Sequence, residues 1–457
     1  MRQTRKSGSC NAHASHHDIH RAEFPASLKL GEVLCATSHK AQRDESNVRL
    51  GAAVLGARSR ASHNPTSFSF RQKRLKVLQV VEATFAGVGR HVLDLCAELL
   101  ARGHEVHLAY SEVRMEDRFQ EGIRGLVGLR SYRLNMARGP SPQDANAVLH
   151  LRRYVRQYGP FDVIHGHSSK AGAIARLASL GLGASRVYTA HALRTADPDL
   201  TGAQRVLYTA VERLLGKYFT DAFIGVAQQE ADEARRLGVS TDRLHVLPNG
   251  ITLPPLSERS VVRRIHGIGE DDICLMWVGR LAPQKAPERF AQLFTILAAE
   301  APRVQGVMIG SGPLETHLRA LIRGLGLSER LRLVKDQHAV RSMPAGDIYV
   351  MTSRYEGLPY VLLEAQAAGL PVVAFEVGGL ATAIEHGATG FAISQNDEAS
   401  FLEALRRLVA DGDLRGAMGR AALRRAQGFR LDAMVDRTEA LYQRLSGEHP
   451  DAATAAI

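Results

Sequence analysis

From Leu75 onward the sequence alternates short, β-branched apolar runs with helical patterns, and after one interruption it does so again. LKVLQVV (75–81), HEVHLAY (104–110), FDVIHGH (161–167), SRVYTAH (185–191) and DAFIGVA (221–227) read as strands, with stretches such as GRHVLDLCAELLARG (89–103) between them as helices. Strands this continuously apolar are covered on both faces, so the alternation predicts parallel sheets flanked by helices. RLHVLPNGITLPP (243–255), with three prolines and one Asn-Gly, breaks the pattern as a linker would. ICLMWVG (273–279), VQGVMIG (304–310), RLRLVK (330–335), DIYVMTS (347–353) and PVVAF (371–375) then restart it. The expectation is an α/β chain of two Rossmann-like, doubly wound domains, 75–247 and 248–429, facing each other across a cleft. A last helical pattern over 430–446 has no strand after it and is free to cap either half, including by a return to the first, and 447–457 reads as a tail.

Charge divides the chain unevenly. Of a net charge of +11, the first 74 residues supply most, with thirteen Lys or Arg against five Asp or Glu. They lack periodicity and read as a disordered basic extension, so the charge is poor evidence for nucleic-acid binding by the folded part. His13, His16, His17 and His20 sit in this segment, where a solvated His-rich stretch is commoner than a metal site. Cys10, Cys35, Cys96 and Cys274 show no paired spacing, which points to reduced thiols in a cytoplasmic setting. No apolar run reaches the roughly 18 residues of a membrane span, and the N-terminus has no continuous apolar signal region.

The most informative stretch is SRYEGLPYVLLEAQAAG (353–369). Glu356 falls in the loop at the carboxyl end of a strand, where open α/β sheets bind ligands. Pro359 opens the next helix, whose first amides are unpaired donors. Glu364 lies about one turn inside that helix, which is otherwise apolar nearly all round, and a lone buried carboxylate costs several kcal/mol unless something satisfies it. The two adjacent hydroxyls of a ribose would do so. The competing reading pairs Glu364 with an arginine from a neighbouring element and leaves Glu356 solvated.

The E-x7-E spacing, its SRYEGLP flank and the following GLPVVAFEVGGLATAIEHGATGF (369–391) closely resemble the retaining, nucleotide-sugar-dependent glycosyltransferases of family four in the GT-B class. AGVGRH (86–91), VIHGHSSKAG (163–172), YTAH (188–191), VLPNGI (246–251), VGRLAPQK (278–285) and IGSGPLE (309–315) stand in the order that family uses, so the resemblance spans most of residues 75–445. It implies transfer of a sugar from a nucleoside diphosphate donor to an acceptor hydroxyl with the anomeric configuration kept. It gives Glu364 the donor's ribose, Glu356 the transferred sugar, and the Gly357, Leu358, Pro359 and Tyr360 backbone its sugar and phosphate contacts.

By the same resemblance Arg280 and Lys285 bind the diphosphate and stabilise charge on the leaving nucleotide, so no metal or cofactor is expected. Gly310 and Gly312 look like a phosphate turn permitting positive φ, and Gly87 and Gly89 begin the first helix of the amino-terminal half. The family has a second glycine where Ala86 stands, and a glycine after the His191 equivalent where Ala192 stands, which alters backbone approach near the donor sugar. Asp-Pro-Asp (197–199) imitates a metal-binding D-x-D, but it lies in a loop away from the donor motifs.

Enzymes of this kind in cell-surface polysaccharide or glycolipid synthesis use lipid-linked or saccharide acceptors. The basic, amphipathic AVLHLRRYVRQYG (147–159) is therefore a candidate for peripheral contact with the inner face of the membrane, or an ordinary surface helix. The alternatives are a nucleotide-sugar 2-epimerase on the same scaffold and a non-catalytic nucleotide-sugar binder. The latter is disfavoured because Glu356, Arg280 and Lys285 are all present, and a Rossmann oxidoreductase is disfavoured because GxGxxG is missing.

Overall fold

Thirteen strands in a computed structural model form two all-parallel sheets; the structure describes residues 73–448 except 138, 253–257 and 336–338. The first sheet comprises β1 (Lys76–Val81), β2 (Glu105–Tyr110), β3 (Arg130–Arg133), β4 (Val163–His167), β5 (Ser185–Thr189), β6 (Ala222–Gly225) and β7 (Leu244–Val246), in the order β3-β2-β1-β4-β5-β6-β7. The second comprises β8 (Ile273–Val278), β9 (Val304–Ile309), β10 (Leu331–Val334), β11 (Ile348–Met351), β12 (Val372–Phe375) and β13 (Gly390–Ile393), in the order β10-β9-β8-β11-β12-β13. These are the two doubly wound halves expected from the alternation. Strand order reverses between β1 and β4 and again between β8 and β11, and ligands bind beyond the carboxyl ends of strands at such reversals.

Ten strands coincide with the apolar runs. β3, RSYR, is an exposed polar edge, β7 lies inside the stretch read as linker, and β13, GFAI, falls in a motif quoted only for its resemblance. The extension read as 1–74 lies outside the described residues except at its end, where Lys73 pairs with Asp162 at 2.8 Å and belongs to the fold. The histidines of that segment, Cys10, Cys35 and residues 449–457 also lie outside. Cys96 and Cys274 are free thiols buried in different halves.

The last helix, Leu431–Glu448, leaves the second half and packs on the first. Met434, Val435, Leu441, Tyr442 and Leu445 join β1, β2 and the helix Ala86–Ala101 in one core, each such burial contributing about 1.5–3 kcal/mol. Arg102 donates to Glu439 (2.7 Å) and His104 bonds its other oxygen (2.9 Å). The outgoing and returning segments touch where Ile251 N–H donates to Phe429 O and Leu431 N–H to Ile251 O, at 2.8 and 3.0 Å. A side chain at Gly250 would meet Arg430 O at 2.7 Å, so only glycine lets the two crossings lie this close.

The helix Gln143–Tyr158 packs as an ordinary surface helix does. Leu151 and Val155 are buried in a separate cluster with Leu78, Val80 and Ile164, and Arg152 donates to the carbonyls of Ala178 and Leu180. Much of its apolar set therefore packs on protein, because the sheet behind it needs a cover. Among the described residues no helix is long and apolar enough to cross a membrane.

Candidate functional site

A cavity of about 1780 Å³ separates the halves, lined from the first by the loop after β1 and the residues after β5, and from the second by the loops after β8 and β11. Arg280, Lys285, Glu356, Glu364, His191, Gly87, Gly89 and the run Gly357–Leu358–Pro359–Tyr360 all line it. Residues predicted from segments up to 277 positions apart thus converge. Gly310 and Gly312 are the exceptions. A Cβ on Gly310 would lie 1.9 Å from Gly279 O, and one on Gly312 2.4 Å from Leu281 O. Gly310 has no left-handed φ, so their smallness serves close backing of the 279–285 loop, and the expected phosphate-turn geometry is not formed around positive φ at that position.

That loop is built to hold two cations. Pro283–Lys285 is a 3₁₀ turn ended by Ala286 in the left-handed region (φ 44°), after which Pro287 opens a helix. Thr352 hydroxyl donates to the carbonyls of Lys285 and Ala286, and the sole tryptophan, Trp277, donates to Thr352 (3.1 Å). Lys285 Nζ then donates to Glu356 Oε1 at 2.6 Å, the carboxylate being only 8% exposed. Arg280 is exposed, with its guanidinium 4.9 Å from the centre of the Phe85 ring on the opposite half. Glu356 is therefore no free loop residue but the counter-ion of Lys285.

Glu364 is paired too. The helix Tyr360–Ala367 is buried on nearly every side, as its composition requires, but Glu364 and Val361 sit at its two partly open positions, and both line the cavity. Arg90, from the helix Ala86–Ala101 of the first half, donates to Glu364. The competing reading of the sequence, a pairing with an arginine of a neighbouring element, is thus what the structure holds, although Arg90 reaches Glu364 across the cleft and from within it.

Further cross-cleft contacts hold the E-x7-E segment. Arg354 makes two 2.8 Å bonds to Asp199, and Tyr355 hydroxyl lies 3.3 Å from Asp197 Oδ2, which also accepts from Arg194. Asp-Pro-Asp, expected in a loop away from the donor motifs, instead lies against one of them and spends its carboxylates on protein partners. Asn249, of the Asn-Gly pair, donates to Leu358 O (2.7 Å).

His191 follows β5 in a left-handed turn, φ 54°, and is followed by Ala192 at φ 86°. Glu230, fully buried, fixes that turn by accepting from Ala192 N–H (2.6 Å) and Val226 N–H (3.0 Å). Burial pushes its carboxyl up to about 7, against those two amides. Behind His191 stand His167, 3.0 Å away, and His91, which contacts Asn249 and Tyr360 at 3.1 Å each. Burial lowers His91 to about 4 and holds His165, His167 and His191 well below the usual imidazole range, each reinforced by its neighbours in the last three cases, so all four are neutral near pH 7.

The sequence reading missed Arg90, Glu230, His91 and His167 as members of the site. Arg90 and His91 follow Gly89 directly in the first turns of the helix that AGVGRH opens, and His167 is the last residue of β4; that adjacency to a glycine turn and to a strand's carboxyl end was the available signal.

Residues 85–253 match the family described as Glycosyltransferase Family 4, and 258–425 match Glycosyl transferases group 1. A D-inositol 3-phosphate glycosyltransferase of Geodermatophilus obscurus is 32% identical over 320 residues, spanning 65% of this chain and 70% of its own. An Escherichia coli UDP-Gal:alpha-D-GlcNAc-diphosphoundecaprenol alpha-1,3-galactosyltransferase is 26% identical over 309 residues, 66% of this chain and 79% of its own. Among solved structures, Anabaena HepE in complex with UDP and glucose superposes with a TM-score of 0.69 at 19% identity, covering 81% of this chain and 100% of its own.

Proposed function

The chain belongs to the family-four glycosyltransferases, and from that premise we propose that it moves a sugar from a nucleoside-diphosphate-sugar to an acceptor hydroxyl with retention of anomeric configuration. One observation carries the reading: both carboxylates of E-x7-E face a single interdomain cavity, each with a cation that a donor would engage. The diphosphate takes Lys285 and Arg280, which neutralise charge growing on the leaving nucleotide, so no metal or organic cofactor is needed. Glu356, released from Lys285, accepts hydroxyls of the transferred sugar, and Glu364 accepts those of the ribose beside Arg90. Neutral His191 faces the sugar from the first half. Glu230 is the carboxylate beside Gly357, but it does not line the cavity and both its oxygens bond amides, which makes it a poor nucleophile. Departure and attack on one face, with the leaving phosphate taking the acceptor proton, fits these residues better than double displacement.

For the acceptor we favour a lipid-linked saccharide, as the Escherichia coli relative's name describes for that enzyme. Supporting this, the helix Gly202–Tyr218 exposes Leu207 (49%), Val211 (37%), Leu214 (54%) and Tyr218 (57%), at spacings that share one face, and the first two line the cavity. Arg213 and Lys217 stand beside them, as contact with an anionic membrane surface requires.

The test is thermal stabilisation of the full chain by UDP-, GDP- and ADP-sugars, followed by transfer to lipid-linked saccharides with the product's anomeric configuration read by NMR. Stabilisation by one donor and a product of the donor's configuration are expected. An isomerised sugar nucleotide formed without acceptor would replace this reading by an epimerase, and an inverted product would remove the mechanism.

A further inference from the structure

We propose that His91, His167 and His191 form a binding site for a zinc-class divalent cation on the first-half wall of the cleft, with one coordination position open to the cavity. One ring nitrogen from each of the three lies within 4.8 Å of the others, and the ring centres are 4.6, 5.3 and 5.5 Å apart. Tetrahedral zinc with Zn–N bonds near 2.0–2.1 Å sets its nitrogens about 3.3 Å apart. His167 Nδ1 and His191 Nε2 are already at 3.0 Å, and the His91 nitrogen, within 4.8 Å of both, closes by up to about 1.5 Å to join them.

The surrounding hydrogen bonds leave lone pairs on two of the three ligands, and the third, His191, donates from Nε2 to His167 Nδ1 and shifts that proton to its own Nδ1 when a cation binds. Gln79 Oε1 lies 2.7 Å from His167 Nε2, and Gln79 is oriented by its own amide donating to Tyr442. His167 therefore donates from Nε2 and presents a bare Nδ1 to the cluster. Asn249 is oriented in the same way, its amide donating to Leu358 O, which turns its oxygen to His91 Nδ1. His91 thus carries its proton on Nδ1 and leaves Nε2 as an acceptor. Amide oxygens fixing the outer nitrogen of an imidazole are the outer partners metal-bound histidines have. Three imidazoles and no carboxylate suit zinc over the hard cations magnesium and calcium. His191 lines the cavity while His91 and His167 stand behind it, so a fourth ligand enters from the cleft.

The binding claim is independent of the proposed reaction. Its consequence, competition between the cation and the donor sugar for His191, rests on that reading. The experiment titrates the full chain with Co²⁺, reading the visible absorption of tetrahedral cobalt, then displaces it with Zn²⁺. The parent protein carries His13, His16, His17 and His20 replaced by Ala, so that the N-terminal histidines do not contribute. One ion per chain is expected, with affinity at least 100-fold weaker in His167→Gln and His91→Gln and about tenfold weaker in Gln79→Leu. Circular dichroism checks folding, and His191→Ala, at the least buried ligand, serves if the buried variants unfold. Absence of tetrahedral cobalt in the parent, or unchanged binding in the folded variants, overturns the site. Binding without effect on donor KM in an active enzyme leaves the site standing and removes the competition, whereas binding to a protein inactive with every donor counts only against the proposed reaction.

Discussion

Arg90 and Glu364 stand 274 positions apart, on opposite halves of the molecule, and join in an ion pair inside the cleft that both of them line. The pair is partly shielded, with side chains 23% and 12% exposed, so each partner depends on the other more than surface charges do. A donor's ribose must enter beside it.

Glu364→Ala should therefore raise the donor KM by at least tenfold while changing kcat little, since the carboxylate holds the nucleoside and not the reacting centre. Steady-state kinetics at saturating acceptor measure this. An unchanged KM would exclude Glu364 from donor binding.

Lys285→Ala and Arg280→Ala should act on turnover instead. Removing one preorganised charge from a developing anion costs on the order of 10²–10³ in rate. Lys285→Ala also strands Glu356 without its partner, so the larger loss is expected there, with Lys285→Arg recovering part of it. Equal KM effects without a fall in kcat would contradict this division.

Stability should fall in mild acid. Unfolded histidines titrate near pH 6.5, whereas His91 does so at about 4 in the fold and His165, His167 and His191 well below the usual range. Their folded values are depressed, so the contribution is full above the unfolded pKa and is lost as pH falls from about 6.5 through the folded values. His91 alone accounts for about 3 kcal/mol. Glu230, raised to about 7, works in the opposite sense, losing stability as pH rises from about 4.5 to about 7, but it is one group against four. Urea midpoints measured across this range should drop on the acid side, and less steeply in His91→Asn.

Ala192→Gly should stabilise the protein by about 1 kcal/mol. Ala192 holds φ 86°, where a Cβ is strained and glycine is not, and its amide bond to Glu230 does not depend on the side chain. Calorimetry should show a rise in Tm, and Ala192→Val a fall.

How much of this could be read beforehand depended on the range of the interaction. β8, β11 and β12 were legible because a strand buried on both faces is apolar along its length, and Glu356 and Glu364 because a carboxylate beside or within such segments needs a reason. β3 was not legible, since an exposed edge strand such as RSYR carries no apolar pattern. The counter-ions were not legible either. Nothing local to Glu364 names Arg90, and nothing in Asp-Pro-Asp foretells Arg354 and Tyr355; only the folded sheets bring those segments together.

The return of the final helix has a mechanical consequence. The polypeptide passes between the halves twice, and Ile251 bridges Arg430 where the passages meet. Two adjacent straps define a hinge axis, as two pins do on a door, so opening is restricted mainly to rotation about that line. Cutting the chain after residue 430 would do more than shorten it: the lobe would swing on one pin, and the first core would lose a wall.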